Sequence, residues 1–246
     1  SMKQISSINP FSGETLDTYE AFDLTALDST LAAADQAQKM WQTTELSTRA
    51  SVLRSLAKQL KAQRDTLART ATLEMGKTLA SARAEVDKCA WACEYYADNG
   101  PAMLQSETVP SDDDAERIIC YQPLGLVLAI MPWNFPYWQV FRFLAPALMA
   151  GNGAILKHAS NVPGCAMAIE AICRDANVPE NLFRSLLVSS KDADRLIEHP
   201  MIKAVTFTGS TNAGRKIAST AGKCLKKTVL ELGGSDPYLV LDDADI

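Results

Sequence analysis

Apolar residues recur at helical spacing through much of the first hundred residues. One series begins at Leu24 and extends to Trp41, and Asp23 stands where an N-cap is expected. A second series runs from Leu53 to Leu60. The spacing therefore predicts that the first hundred residues form helices.

The helical pattern is interrupted at Gly76 and resumes over residues 80–96. The sequence Asn99-Gly100-Pro101 is expected to end that helix, because glycine and proline have the lowest propensity for helix interiors. After an acidic run at 111–114 the period changes, and residues 117–122 are predicted to form a strand.

From Gly125 onward, short apolar runs alternate with helix-like stretches. The apolar runs are 125–131, 153–157, 185–189, 202–209 and 227–234, and the helix-like stretches are 137–150, 163–176, 191–198 and 211–221. The alternation is typical of a parallel sheet with both faces covered, because each crossover needs a helix to return the chain. The fold class is thus α/β, a doubly wound parallel sheet preceded by N-terminal helices. Ligands of such sheets bind beyond the carboxyl ends of the strands.

Composition and charge indicate a folded globular protein. Apolar residues make up 47% and charged residues 22% of the 246 residues, and the net charge is −5. Nucleic acid is not an expected partner because no basic stripe is present. No apolar stretch approaches the roughly 18 residues of a membrane-spanning helix. The N-terminus has no signal-peptide pattern, so a cytoplasmic location is expected, and Ser1 before Met2 is interpreted as a remnant of cloning.

The six cysteines are expected to be buried, reduced thiols. They lie at 89, 93, 120, 165, 173 and 224, with only two histidines in the chain. Their spacing offers no set of zinc ligands, so no metal site is predicted.

Two of the segments that follow apolar runs carry side chains suited to polar chemistry. In Pro132-Trp133-Asn134-Phe135-Pro136, packing explains the aromatic residues, whereas the amide of Asn134 is a ready donor to a developing oxyanion. In Lys157-His158-Ala159-Ser160, the lysine is either a solvated charge or a donor to a ribose or phosphate group.

Two further segments complete the set. At Gly209-Ser210 the glycine permits close backbone approach and the serine can cap the next helix, whose N-terminus favours an anion. This junction alone is weak evidence for a ligand site, since many strand–helix turns contain such residues without binding anything. In Glu231-Leu232-Gly233-Gly234, a carboxylate at the end of an apolar run is costly unless it is paired or catalytic, which favours a general base.

In combination, the motifs PWNFP at 132–136, FTGSTxxG at 207–214 and ELGG at 231–234 resemble those of the aldehyde dehydrogenase superfamily over the whole chain. Within it the chain is most similar to the bacterial NAD(P)-dependent succinate-semialdehyde dehydrogenases. The resemblance implies a Rossmann-like NAD(P)-binding domain formed by residues 1–104 and 124–233. It implies an oligomerisation strand segment at 105–123 and the start of a catalytic domain at 234–246.

The resemblance also implies the reaction and its residues. In the family a cysteine thiolate attacks the aldehyde, hydride passes to the nicotinamide, and water releases the acid from a thioester. Asn134 matches the oxyanion donor and Glu231 the residue that activates the water. The cofactor-binding positions that the resemblance implies are Trp133, Lys157, His158, Ala159, Ser160, Gly209, Ser210 and Leu232.

Two positions bear on specificity. Ser160 stands where members strict for NAD commonly have a glutamate, so NADP is expected to be accepted, with NAD left open. Arg142 matches an arginine that binds the substrate carboxylate and is expected on the helix whose start holds Asn134. An ordinary surface or interhelical arginine is the alternative reading of Arg142.

The family's nucleophilic cysteine has no counterpart among the six cysteines, so the 246-residue chain alone is expected to be inactive. Either the chain is the N-terminal part of a dehydrogenase that oxidises succinic semialdehyde or another aldehyde, or it is a non-catalytic dinucleotide-binding fragment or scaffold. A predicted apolar strand at 238–241 favours the first reading, because an unpartnered terminal strand promotes aggregation. The expected partners are a small-molecule aldehyde and further copies of the full-length chain, as a homodimer or homotetramer.

Overall fold

The computed structural model describes residues 3–245. Ser1, interpreted as a remnant of cloning, lies outside the described residues, as do Met2 and Ile246. The chain begins with a β-hairpin in which β1 (Gln4–Ile8) pairs antiparallel with β2 (Thr15–Glu20). The prediction of helices throughout the first hundred residues is wrong here. The helical series starts only at Leu24, and the preceding residues are rich in the Thr, Tyr and Ile that favour strands.

Four helices follow the hairpin: α1 (Leu27–Trp41), α2 (Leu46–Ala62), α3 (Arg64–Met75) and α4 (Leu79–Met103). A short 3₁₀ turn precedes α1, and the carboxylate of Asp23 caps it by accepting the Thr25 N–H at 2.9 Å. The cap predicted at Asp23 is therefore confirmed. Gly76 ends α3 with φ of +83°, a left-handed conformation that glycine adopts without strain.

The predicted stop at residues 99–101 is wrong, because α4 runs through Pro101 to Met103. Gly100 instead allows α4 to pack closely against the helix that contains Met149. A Cβ added there would lie 2.4 Å from Cγ of Met149, so the missing side chain lets α4 approach the next helix closely.

The second half of the chain contains the sheet predicted from the alternation. Its strands are β5 (Leu126–Ile130), β6 (Gly153–Lys157), β7 (Phe183–Ser185), β8 (Ile202–Thr208) and β9 (Lys227–Glu231). All neighbouring strands are parallel, in the order β7-β6-β5-β8-β9. The connecting helices are α5 (Trp138–Met149), α6 (Pro163–Asp175), α7 (Ala193–Glu198) and α8 (Thr211–Lys223). The order reverses direction at β5, as in a doubly wound sheet, and the predicted fold class is confirmed.

Three predicted strands differ from the structure. The run at 185–189 was expected to form a strand, but β7 ends at Ser185, and Leu186 and Val188 are buried in the connection that follows. Of residues 117–122, only β4 (Arg117–Ile119) forms, paired antiparallel with β3 (Glu107–Val109). In the described part of the chain, residues 238–241 form no strand and their side chains are exposed.

The core lies on both faces of the sheet. Leu128 on β5 packs in one cluster with residues of α1, α7 and α8, whereas its neighbour Ala129 joins a larger cluster formed with α2 to α6. Burial on both faces explains why the strands are apolar without alternation. Across residues 3–245, the helices are all too short or too polar to traverse a lipid bilayer.

Candidate functional site

The parallel register brings the predicted site segments to one edge of the sheet. Ile130 pairs with Lys157 on one side and with Phe207 on the other, and Thr208 pairs with Glu231. The residues after these strands therefore emerge side by side, which is where parallel α/β sheets bind ligands.

Asn134 lies in an exposed turn between β5 and α5, which we call the 132–136 turn. The Phe135 N–H donates to Asn134 Oδ1 at 3.1 Å. This bond uses one lone pair of the amide oxygen, and the amide nitrogen of Asn134 carries two N–H donors. The turn ends before α5 begins at Trp138, so the expectation that Asn134 sits at the helix start is wrong by one turn.

His158 joins two of the site segments from inside. Its Nε2 lies 2.7 Å from the carbonyl oxygen of Pro136, and its Nδ1 accepts the Ala159 N–H at 2.8 Å. Burial lowers the pKa of His158 to about 4, so the ring is neutral near pH 7 and donates from Nε2. Both ring nitrogens of His158 are thus engaged by backbone groups, and its role in cofactor binding stays a prediction.

Lys157 is buried at the end of β6. Its Nζ donates to the carbonyl oxygen of His158 at 3.0 Å, and burial lowers the pKa of its amine. An ammonium group has three donors, so this single bond leaves others for a ligand at the edge. Because Lys157 is buried it is not a solvated charge, and its role as a donor to a ribose or phosphate group stays a prediction.

Ser160 is exposed and lines a cleft of about 290 Å³. The other lining residues are Lys3, Ile5, Ala21, Phe22, Leu24, His158, Ala159, Pro163, Leu187, Val188, Ser189 and Asp192. Lys3 comes from the start of the hairpin, and sequence reasoning missed it because that region was expected to be helical. The Thr, Tyr and Ile residues of the hairpin were the sequence signal that could have indicated strands there.

Gly209 and Ser210 form the junction between β8 and α8. The Gly209 N–H donates to the Glu231 carbonyl oxygen at 3.0 Å, and Ser210 Oγ caps α8 by accepting the Ala213 N–H at 3.2 Å. The N-terminus of α8 therefore opens at the sheet edge, where its dipole favours an anion.

Leu232 flanks that opening, and Trp133 follows β5 at the same edge of the sheet. A Cβ at Gly214 would lie 2.4 Å from Cδ2 of Leu232, so Leu232 lies directly against the first turn of α8. The side chains of Leu232 and Trp133 are 41% and 50% exposed, respectively. Both are available to contact a ligand at the edge.

Arg142 and Glu231 line the same groove of about 490 Å³. Arg142 Nη2 lies 3.5 Å from Glu231 Oε1, and the two side chains are 41% and 57% exposed. Ion pairs this exposed contribute little to stability, so both groups stay free to exchange partners. The structure thereby places Arg142 beside Glu231, and the role of Arg142 in binding a substrate carboxylate stays a prediction.

The thiols divide into two groups. Cys89, Cys93, Cys165 and Cys173 are buried, and burial raises the pKa of each, to about 12 at Cys93. Cys120 is exposed and Cys224 is half-buried, so the expectation of buried thiols is wrong for these two. Cys224 follows the last residue of α8, about 20 Å along the helix from the sheet edge.

A sequence model of the aldehyde dehydrogenase family matches residues 1–246. A relative from Synechocystis sp., named "Probable succinate-semialdehyde dehydrogenase [NADP(+)]", is 48% identical over 242 residues, covering 98% of this chain and 53% of the relative. The Escherichia coli succinate semialdehyde dehydrogenase [NAD(P)+] Sad is 45% identical over 240 residues, covering 98% and 52%.

Solved structures give the same result for the fold. The crystal structure of a succinic semialdehyde dehydrogenase from Streptococcus pyogenes in complex with NADP+ superimposes with a TM-score of 0.92 at 36% identity. The match covers 98% of this chain and 53% of that one. The chain spans about half the length of the relatives it matches.

Proposed function

The chain belongs to the aldehyde dehydrogenase family, and we propose that the whole protein oxidises succinic semialdehyde to succinate with NADP+, and with NAD+ as an alternative acceptor. The observation that carries the substrate is the placement of Arg142 beside Glu231, 3.5 Å apart in one groove. A guanidinium can bind a terminal carboxylate with two hydrogen bonds, which orients a short semialdehyde with its other end free for reaction.

The residues at the edge of the sheet have complementary roles in this reaction. Asn134 donates its amide N–H to the oxygen that becomes negative during attack on the aldehyde. Glu231 removes a proton from the water that releases the acid. Four of the six cysteines are buried, and the other two follow β4, outside the parallel sheet, and the far end of α8. We therefore propose that the nucleophile comes from the remaining length of the whole protein.

The cofactor proposal rests on the donors of three neighbouring segments. Lys157 offers a buried amine, Ser160 an exposed hydroxyl at a cleft, and α8 an open N-terminus for the pyrophosphate. Serine at 160 leaves room for a 2′-phosphate and adds no negative charge near it, and the relatives named above carry NADP(+) or NAD(P)+ in their names. When bound, the nicotinamide accepts a hydride from the substrate.

The substrate proposal is tested by replacing Arg142 in the whole protein. Arg142→Gln should raise KM for succinic semialdehyde by about 100-fold, the order expected for losing a charge-assisted bidentate contact, and should leave KM for butanal nearly unchanged. Arg174→Gln, an exposed arginine at the end of α6, is the matched control and should change neither KM. Equal effects of Arg142→Gln on both aldehydes would remove the assignment. Binding of NADP+ without oxidation of any aldehyde would favour a dinucleotide-binding module instead.

We also propose assembly as a homodimer or homotetramer in the cytoplasm. The hairpin of β3 and β4 supports the assembly, because it projects Ile118 and Ile119 with half-exposed side chains from a two-stranded sheet. Light scattering of the whole protein tests it, and a monomeric mass would count against the proposal.

A further inference from the structure

Hydrogen bonds to backbone groups hold both ends of the 132–136 turn. Trp133 and Phe135 are 50% and 44% exposed, so neither is packed into the core. At one end the Met131 N–H donates to the Lys157 carbonyl oxygen at 3.3 Å, and at the other the Pro136 carbonyl oxygen meets the buried ring of His158. The position of the turn therefore depends on the groups that form hydrogen bonds with its two ends.

Glu85 of α4 binds the backbone directly after the turn. Its Oε2 accepts the N–H groups of Tyr137 and Trp138 at 2.7 and 3.0 Å, directly after the turn. The Glu85 side chain is 2% exposed, and its Oε1 is paired with Lys77, which is 10% exposed. A charged acceptor at the first N–H groups of α5 fixes where that helix starts.

Lys77 contacts the turn a second time. Its Nζ lies 4.1 Å from the centroid of the Phe135 ring, a cation–π distance. Phe135 is the residue whose N–H holds Asn134 Oδ1. The Lys77–Glu85 pair thus touches the turn at Phe135 and at its junction with α5.

We propose that Glu85 and Lys77 are positioning residues that hold the amide of Asn134 where the oxyanion develops. The inference rests on the proposed function, in which Asn134 is the oxyanion donor. Displacement of a catalytic group by about 1 Å can reduce the rate by about 10²-fold, so a pair that never meets the substrate still controls turnover. The pair acts on the rate constant kcat more than on cofactor binding, because of the proposed cofactor contacts only Trp133 lies on this turn, whereas Lys157, Ser160 and Ser210 lie on other segments.

The test compares two buried carboxylates in the whole protein. Glu85→Gln should lower kcat for succinic semialdehyde by about 10- to 100-fold with little change in KM for NADP+. The matched control is Glu74→Gln, because Glu74 is equally buried and accepts the Gly164 and Cys165 N–H groups at 2.8 Å each, at the start of α6. Both variants should lose thermal stability, whereas only Glu85→Gln should lose kcat.

A double-mutant cycle with Asn134→Ala separates positioning from general damage. If Glu85 acts through Asn134, then Glu85→Gln should change kcat by less than about 2-fold in the Asn134→Ala background. Multiplicative losses, or an equal loss of kcat in Glu74→Gln, would overturn the inference. Should Glu85→Gln fail to fold, Lys77→Met takes its place in the same cycle. A wild-type protein that oxidises no aldehyde refutes the proposed function, and this inference with it, before any variant is made.

Discussion

Protonation of His158 should control the acid stability of the chain. The ring is 5% exposed and its Nδ1 accepts the Ala159 N–H. A proton on Nδ1 would remove this hydrogen bond and bring two donors together in the protein interior. Burial, with a smaller contribution from the charge of Lys157, lowers the pKa of His158 from 6.5 to about 4. The unfolded chain binds a proton near pH 6.5, whereas the folded chain resists it until about pH 4.

The sign and size of the effect follow from this difference in pKa. A lowered pKa in the folded state means that the contribution of His158 to stability is complete above pH 6.5 and is lost as the pH falls toward 4. The loss amounts to about 1.4 kcal/mol per pH unit, or about 3 kcal/mol in total over the window set by the two pKa values. A difference of this size is a large fraction of the stability of a typical domain.

Urea unfolding between pH 4.5 and 8 measures the effect. In His158→Gln the fall in the free energy of unfolding below pH 6.5 should be shallower than in the wild type by the stated slope. His199→Gln is the matched control, because it replaces the other histidine of the chain, which is paired with the exposed Asp28. NMR of the two imidazole rings gives a direct second reading. Parallel pH profiles for the wild type and His158→Gln, or a His158 ring that titrates near pH 6.5, would refute the reasoning.

Two further expectations concern the cofactor and the packing. Ser160→Glu should weaken NADPH relative to NADH by at least about 10-fold in fluorescence titrations, because a carboxylate repels the 2′-phosphate, and an unchanged ratio would contradict the role of Ser160. Gly100→Ala should destabilise the fold by about 1–3 kcal/mol, since its Cβ would meet Met149, whereas Gly222→Ala, with open space around it, should stabilise α8 by up to about 1 kcal/mol. Equal urea midpoints for the two variants would show that the close approach of α4 and α5 is not tight.

Local patterns in the sequence determined most of the elements. Apolar runs alternating with helical stretches predicted the parallel α/β sheet, and the segments after those runs contained Asn134, Lys157, Gly209 and Glu231. These features are readable because periodicity and turn chemistry act over a few residues. The resemblance to aldehyde dehydrogenases came from the same local motifs.

Only the tertiary structure decided which of these segments meet. The strand order places Arg142 of α5 beside Glu231 of β9, and no local pattern specifies that order. Glu85 was not recognised from the sequence, because a carboxylate in the middle of a helix has no distinguishing pattern until the turn it holds is folded against it. Lys3 was missed because its region was expected to be helical, and the pairing of β1 with β2 is decided only in the fold. Hydrogen bonds and ion pairs between residues distant in the chain carry no periodic signal, so the sequence determined the elements and their motifs, whereas the fold decided their partners.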